Sequence, residues 1–338
     1  MNPLVLSICI PTYNRVQHLK RLLPYFENEI IGNLESVVEV VISNNASTDN
    51  THDYLSEYEN KYSWLRINNN EQNIGARNNF LLLQEMAVGS YIWLPGDDDY
   101  LKIGLIKKIV ECIDLHRPNY IYINRRTICE KTKMPNVEGK RHCVDYDKII
   151  DINHRQLVNL VYENFDDLKF QTSSVFRKDL VDLFESEFMV YAEDVRADCH
   201  SLFKVIRSIQ KGKSYFFSEV CILSGDLITW GKNRVHFLSE CDPAFIYGLE
   251  AFGFSKSECN SINNRLHASV LFTYIQNYTS VKEWINRGMP NFKVVQIFII
   301  IKLIIRKIFR VFGLSTSHYK TPVNLKDYNI IDQNENSI

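Results

Sequence analysis

Short apolar runs alternate with amphipathic stretches over the first hundred residues. Leu4–Ile10 is a nearly continuous apolar run of strand length, closed by the polar turn Pro11-Thr12-Tyr13-Asn14-Arg15. Leu19, Leu22, Leu23 and Phe26 then recur at helical spacing. Val37–Ile42, rich in β-branched residues, predicts a second strand, and it ends in Ser43-Asn44-Asn45-Ala46-Ser47-Thr48-Asp49. Side chains of that kind bond their own backbone and cap helices, so a loop is expected there. A helix is expected over His52–Tyr62, a short strand over Leu65–Ile67, and a helix from Asn73–Asn79 through Met86, stopped by Gly89. Tyr91–Leu94 is again strand-like, and Pro95-Gly96 halts it just before Asp97-Asp98-Asp99.

The order β-α-β-α-β-α-β, with strands that read as apolar throughout, predicts an α/β fold with a mostly parallel sheet sandwiched by helices. The polar clusters at 11–15, 43–49 and 97–99 all follow strands. Right-handed crossovers bring such strand ends to one rim, so the three clusters should converge on a single cleft of the kind that binds nucleotides.

Three adjacent carboxylates repel one another unless protons or a cation neutralise them. A hard divalent ion, Mg²⁺ or Mn²⁺, suits oxygen ligands and bridges phosphates. The overall balance, Lys+Arg 39 against Asp+Glu 40 with 45% apolar residues, describes an ordinary folded protein and offers no electrostatic pull on nucleic acid. The 8 cysteines include no CxxC pair, which argues against zinc and for a reducing, cytoplasmic setting. The chain opens on a strand pattern rather than a basic and apolar leader, so no signal peptide is expected.

Pro11-Thr12-Tyr13-Asn14-Arg15 after a first strand, Ala46-Ser47-Thr48-Asp49 in the loop after a second, Asn73-Ile74-Gly75-Ala76-Arg77-Asn78 before a helix, and a strand running into Asp97-Asp98 resemble the family 2 glycosyltransferases of the GT-A fold. The resemblance covers about residues 4–125, and the proportions are similar to bacterial O-antigen or capsule sugar transferases such as the abequosyltransferase group. It implies that Pro11, Thr12, Tyr13, Asn14 and Arg15 line a nucleotide-sugar pocket, with the Tyr13 ring against base or ribose. Many members read the base with an Asp pair where this chain has Asn44 and Asn45. An amide pair leaves UDP, GDP, TDP or CDP open. Gly75 and Arg77 would belong to the same nucleotide-sugar site, with the Arg77 fork on the diphosphate, and Asp97 would be a spacer reaching ribose or metal. Where typical members carry an Asp, this chain has Gly96; aligned that way Asp98 is the principal metal ligand, whereas a plain DxD reading selects Asp97 and Asp99.

Beyond the triplet, Ile103–Leu115 predicts a helix and Tyr120–Ile123 a strand, followed by a polar, basic stretch at 125–150 expected to be loop-rich. Gln171–Arg177 predicts a strand feeding a helix at Lys178–Phe184. Glu193 and Asp194 precede a helix marked by Leu202, Phe203, Val205 and Ile206; acids there are ordinary caps, but the resemblance implies that Asp194 is the general base, with Glu193 as the alternative. In the Gly-punctuated loop near 224–236, Lys232, Arg234 or His236 would neutralise phosphate, and His236 would otherwise join the metal shell.

The sequence turns helical from about 240, which divides the chain into a catalytic domain at 1–238, a helical region at 239–320 and a disordered tail at 321–338. Within 292–312, Lys302, Arg306 and Arg310 share one helical face opposite Ile304, Ile305, Ile308, Phe309 and Phe312. The uncharged part is far shorter than the ~20 residues a membrane span needs, so an amphipathic helix lying on anionic lipid is expected. Taken with these readings, the resemblance implies a metal-dependent, inverting sugar transferase, expected on the inner face of the cytoplasmic membrane with a lipid-linked polyprenyl diphosphate oligosaccharide as acceptor. Alternatives are a nucleotidyltransferase and a non-catalytic, membrane-docked glycan-binding or nucleotide-sugar-binding subunit.

Overall fold

A computed structural model describes residues 4–128, 147–188, 200–225, 242–275, 301 and 325–328. Glu193, Asp194, Arg234, His236 and, Ile301 apart, the 292–312 segment lie outside the described residues.

β1 (Leu6–Thr12), β2 (Val38–Asn44), β3 (Leu65–Asn69) and β4 (Tyr91–Trp93) alternate with α1 (Val16–Ile30), α2 (Thr51–Ser56) and α3 (Ala76–Met86). They form a wholly parallel half-sheet in the order β3-β2-β1-β4. β5 (Tyr100–Leu101), α4 (Leu105–His116), β6 (Tyr120–Ile128), β7 (Lys148–Ile150), α5 (His154–Leu168), β8 (Ser174–Arg177), α6 (Lys178–Phe188), α7 (His200–Gln210) and β9 (Ser214–Gly225) follow. β8 joins the two halves by pairing antiparallel with both β4 and β6. Parallel pairings are the long ones, such as β1 with β2 and β6 with β9, while the antiparallel ones are brief.

Period-two alternation distributes strand residues between two cores. Ile8, Ile10, Val40, Ile42, Trp93, Ile121 and Val175 face one side, where Leu22, Phe26, Ile106 and Ile109 of α1 and α4 cover them. Cys9, Val41 and Ile92 face the other side, beneath Leu83 of α3. On that same side farther along, Tyr120, Tyr122, Phe176 and Phe216 meet α5, α7 and the helices Asp242–Gly248 and Lys256–Ile275. The fold is therefore the expected α/β arrangement, with helices on both faces. The helices beyond 240 share a core with α5 and α7.

Several expectations need correction. The helix expected over His52–Tyr62 stops at Ser56. Beyond it Tyr58, Glu59 and Lys61 bond three residues back and Asn60 turns left-handed at φ 61, which ends α-helical geometry. The stretch expected to be loop-rich from 125 is strand up to Ile128. Its register with β9 and the bonds of Arg125 to Ser224 and Asp167 satisfy polar residues inside the sheet. Within the tail expected to be disordered, Tyr328 is buried against Tyr100 and Val220, and its hydroxyl donates to Val220 O at 2.6 Å. Among the described residues no helix is long and apolar enough to cross a membrane.

Candidate active site

The parallel register sets the site. Pro11 and Thr12, the last residues of β1, lie beside Ser43 and Asn44, the last of β2, and β4 runs parallel to β1 on its other side. The loops at 11–15, 43–49 and 96–99 therefore leave neighbouring strands at one rim, as their positions after strands require.

Four side chains hold the acid triplet. Thr12 Oγ1 donates to Asp97 Oδ2 at 2.8 Å. Arg15 Nη1 donates to Asp98 Oδ2 at 2.7 Å and to Asp97 Oδ1 at 3.3 Å. Arg21 Nη2, from α1, donates to the main-chain oxygens of Asp97 and Asp99 at 3.2 and 3.0 Å while its guanidinium lies 3.9 Å over the Tyr100 ring. Thr172 Oγ1 donates to Asp99 Oδ2 at 2.6 Å and accepts the Gly96 amide at 3.0 Å. Trp93 Nε1 in turn donates to the Thr172 carbonyl at 2.7 Å.

These bonds sort the three acids. Asp97 and Asp99 are 5% and 4% exposed, whereas the Asp98 side chain is 49% exposed. Burial pushes Asp97 up to about 6 against the opposing pull of Arg15. Burial, with the Asp98 charge added, pushes Asp99 up to about 7 although Thr172, Arg125 and Arg21 oppose it. Among the described residues no three His, Cys, Asp or Glu side chains form a ready-made metal cage. A magnesium-like ion does not need one, since it is commonly held by one or two carboxylates plus phosphate oxygens. Asp98, outward and half-exposed beside Asp97, fits that donor set.

On the far side of β1 an amide lattice holds the second loop. Asn14, left-handed at φ 55, donates its amide to Ser47 Oγ at 2.8 Å and accepts Thr48 N at 2.7 Å, clipping the first loop to the second. Asn44 Oδ1 accepts Ser47 N at 3.1 Å, and its Nδ2 donates to Asn69 Oδ1 at 3.0 Å. Asn45 Oδ1 accepts from Asn70 Nδ2 at 3.1 Å and Ile74 N at 3.0 Å, and Asn45 Nδ2 donates to Asn73 Oδ1 at 2.9 Å. Both amides are buried, so their hydrogen-bonding capacity is largely turned to the loops themselves. Tyr13 is by contrast 43% exposed beside them.

Gly75 takes φ 82 immediately before α3, a conformation glycine adopts without strain, and Arg77 follows on the first turn with its Nε buried and unpartnered. Both lie next to Asn45 through the Ile74 amide. Thr12, Arg15, Asp97 and Asp98 are thus bonded directly, Asp99 joins through Thr172, and Asn14, Asn44 and Asn45 serve the loop scaffold. Arg21 and Thr172 had no sequence signal as site residues: one is an ordinary polar position on an amphipathic helix, the other part of Gln171-Thr172-Ser173-Ser174. Arg125 opens the basic stretch expected to be loop-rich. It lies 4.0 Å over the Phe170 ring, bonded to Asp167 and Ser224 at 3.1 Å each.

Fold and rim together define an α/β protein with a cluster of carboxylates at the carboxyl edge of its parallel strands. The family model described as Glycosyl transferase family 2 matches residues 7–177, half of the chain, and the chain belongs to that family. It is 34% identical over 134 residues to abequosyltransferase RfbV of Salmonella typhimurium, a match covering 39% of this chain and only 40% of that relative's length. Among solved structures it is similar to S. aureus TarS 1-349 in complex with UDP, at TM-score 0.56 and 16% identity over 78% of this chain and 71% of that one. It is also similar to a mannosyltransferase from Pyrobaculum calidifontis in complex with GDP-Man and Mn2+, at TM-score 0.52 and 11% identity over 91% and 83% of the two chains. Those structural likenesses establish the shared GT-A type of fold.

Proposed function

We propose that this protein transfers a sugar from a nucleotide-diphosphate donor to an acceptor hydroxyl, with inversion at the anomeric carbon. The observation that carries this reading is the half-exposed Asp98, held at a three-loop rim by Arg15, in a chain of family 2. Tyr13 offers an exposed aromatic face to base or ribose. Asp98 would hold Mg²⁺ or Mn²⁺ together with the donor diphosphate, the ion supplying charge stabilisation to the departing group. Arg15 supplies a planar fork suited to phosphate oxygens. Asp194, outside the described residues, takes the proton of the acceptor hydroxyl as it attacks, and one direct displacement inverts the centre. The likeness to an abequosyltransferase over 39% of the chain supports a glycan acceptor, which in this reading is a lipid-linked polyprenyl diphosphate oligosaccharide of O-antigen or capsule synthesis. A basic amphipathic helix at 292–312 would keep the enzyme on the inner face of the cytoplasmic membrane.

The test is a panel of UDP-, GDP-, CDP- and dTDP-sugars, scored for thermal stabilisation with and without Mn²⁺. One nucleotide class should raise Tm in a Mn²⁺-dependent way, and Asp98→Ala should abolish transfer while remaining folded. A panel without any stabilising member, or full transfer by Asp98→Ala, overturns the reading.

A further inference from the structure

The acid triplet carries its own counter-charge. A single nitrogen, Arg15 Nη1, is shared by Asp98 Oδ2 and Asp97 Oδ1, at 2.7 and 3.3 Å. A cation bridging the two carboxylates through Asp98 Oδ2 and Asp97 Oδ1 would claim the oxygens that Arg15 now holds. The remaining anchors do not compete for them, because Thr12 takes the other oxygen of Asp97 and Thr172 takes Asp99. Arg21 is a different kind of cation: it bonds main-chain oxygens and stacks on Tyr100, so it holds the turn rather than the carboxylates. Arg15 has its backbone amide donating to Thr51 Oγ1 at 3.2 Å, while its side chain is 28% exposed.

We infer that Arg15 is a displaceable counter-ion, neutralising Asp98 in the free enzyme and yielding that carboxylate to the divalent ion that enters with the donor. This inference rests on the proposal that the cleft takes a nucleotide diphosphate with a divalent ion. A guanidinium does not lose its proton at any working pH, so it cannot relieve the clash with an incoming ion by becoming neutral. It has to leave the oxygen. The released fork then meets the diphosphate that accompanies the ion, replacing one charge-assisted pairing by another. Two consequences follow. The ion alone binds the free enzyme poorly, because it must first break the Arg15 pairing. Ion and nucleotide bind together, because the nucleotide gives Arg15 a new partner.

The experiment measures Mn²⁺ binding to the full chain by calorimetry and by electron paramagnetic resonance, for wild type, Arg15→Met and Arg15→Lys. Without nucleotide, Arg15→Met should bind Mn²⁺ roughly tenfold more tightly than wild type, the charge-assisted bond having been removed. The added affinity should vanish in Arg15→Met/Asp98→Ala, which assigns it to this carboxylate. With UDP, GDP, CDP and dTDP as probes, the favoured nucleotide should tighten Mn²⁺ binding in wild type and do so much less in Arg15→Met. Should Arg15→Met fail to fold by its melting curve, Arg15→Lys carries the test. A lysine keeps the charge but lacks the planar fork, and should show a smaller gain in the same direction. Equal or weaker Mn²⁺ binding in a folded Arg15 variant, beside nucleotide-dependent binding in wild type, overturns this inference alone. Absence of Mn²⁺ binding in wild type with every nucleotide overturns the metal-dependent reading and this inference with it.

Discussion

Thr172 and Asp99, 73 residues apart in sequence, meet through a 2.6 Å hydrogen bond in which the threonine hydroxyl donates. The same oxygen accepts the Gly96 amide, so one side chain closes both ends of the turn that presents Asp98. Thr172→Val keeps the shape and removes both bonds. Leaving the buried Asp99 without this donor should cost about 1–3 kcal/mol of stability. Turnover should fall at least about tenfold, because the presented carboxylate loses its fixed position. Thr172→Ser, which keeps the hydroxyl, should stay near wild type. Melting curves and transfer rates on the three proteins decide it; wild-type turnover in the valine variant would remove the clamp from the argument.

Gly96 bears on the same turn from the inside. A Cβ there would lie 2.8 Å from Asp98 Oδ1 and 3.0 Å from Asp99 Oδ2. Asp99 is held by Thr172, so the side chain that gives way is Asp98. Gly96→Ala should therefore weaken donor binding in the presence of Mn²⁺ by roughly tenfold, with little change in Tm, and titration with the stabilising nucleotide sugar measures it. Unchanged affinity would mean that Asp98 does not need its present rotamer.

The charge network behind the sheet sets a pH dependence. Asp147 Oδ1 accepts Ser218 N at 2.8 Å and Ser218 Oγ at 2.7 Å, and Lys108 Nζ lies 3.1 Å from Asp147 Oδ2 and 3.2 Å from Glu219 Oε2. Burial alone would raise both acids, but the bonds from Ser218 and Lys108 hold Asp147 below the usual carboxylate range, and Lys102 with Lys108 does the same for Glu219. A lowered native value means that the folded state favours the charged form. Its contribution is complete above the ordinary carboxylate value of about 4 and is lost as pH falls through the lowered native one. These groups are partly exposed, so screening keeps the effect small. Asp147→Asn should melt about 2 °C below wild type at pH 7, and the gap should close towards pH 3. A gap that persists in acid would assign the loss to packing instead.

How much of this was legible follows from the length scale of each feature. β1, β2, β4 and the acid triplet announce themselves within ten residues, because a buried parallel strand is apolar throughout and Pro95-Gly96 ends one abruptly. The convergence of loops at 11–15, 43–49 and 97–99 follows from connection handedness. What holds the triplet does not follow. Arg21 reaches it from a helix 76 residues away and Thr172 from the turn before β8, 73 residues from Asp99, and neither contact leaves a local pattern. Asn44 and Asn45 stood where a base-reading pair was expected, yet their partners are Asn69, Asn70 and Asn73, a lattice visible only once β2 and β3 are paired. β9 and α5 do carry local signals, the strand-like Tyr215-Phe216-Phe217 and a complete capping box between Asn153 and Gln156.

Tyr328 gives the last prediction, since a residue late in the chain supports the turn that begins it all. Its ring is packed with Tyr100, Ile128, Val220 and Leu223, its hydroxyl bonds Val220 O, and Ile103 N donates to Asp327 O at 2.8 Å. Tyr100 directly follows the triplet and carries Arg21 on its ring, so Tyr328 stands behind the same turn that Arg21 holds in front. Tyr328→Phe should cost about 1 kcal/mol for the lost hydroxyl bond. Tyr328→Ala should cost about 3 kcal/mol for the emptied site. If the ring positions Tyr100, the alanine variant should also lose donor affinity at a temperature where it is fully folded, while the phenylalanine variant keeps it. Loss of stability with intact donor affinity would make this segment a brace for β5 alone, and the turn would then owe its geometry to Arg21, Thr12 and Thr172.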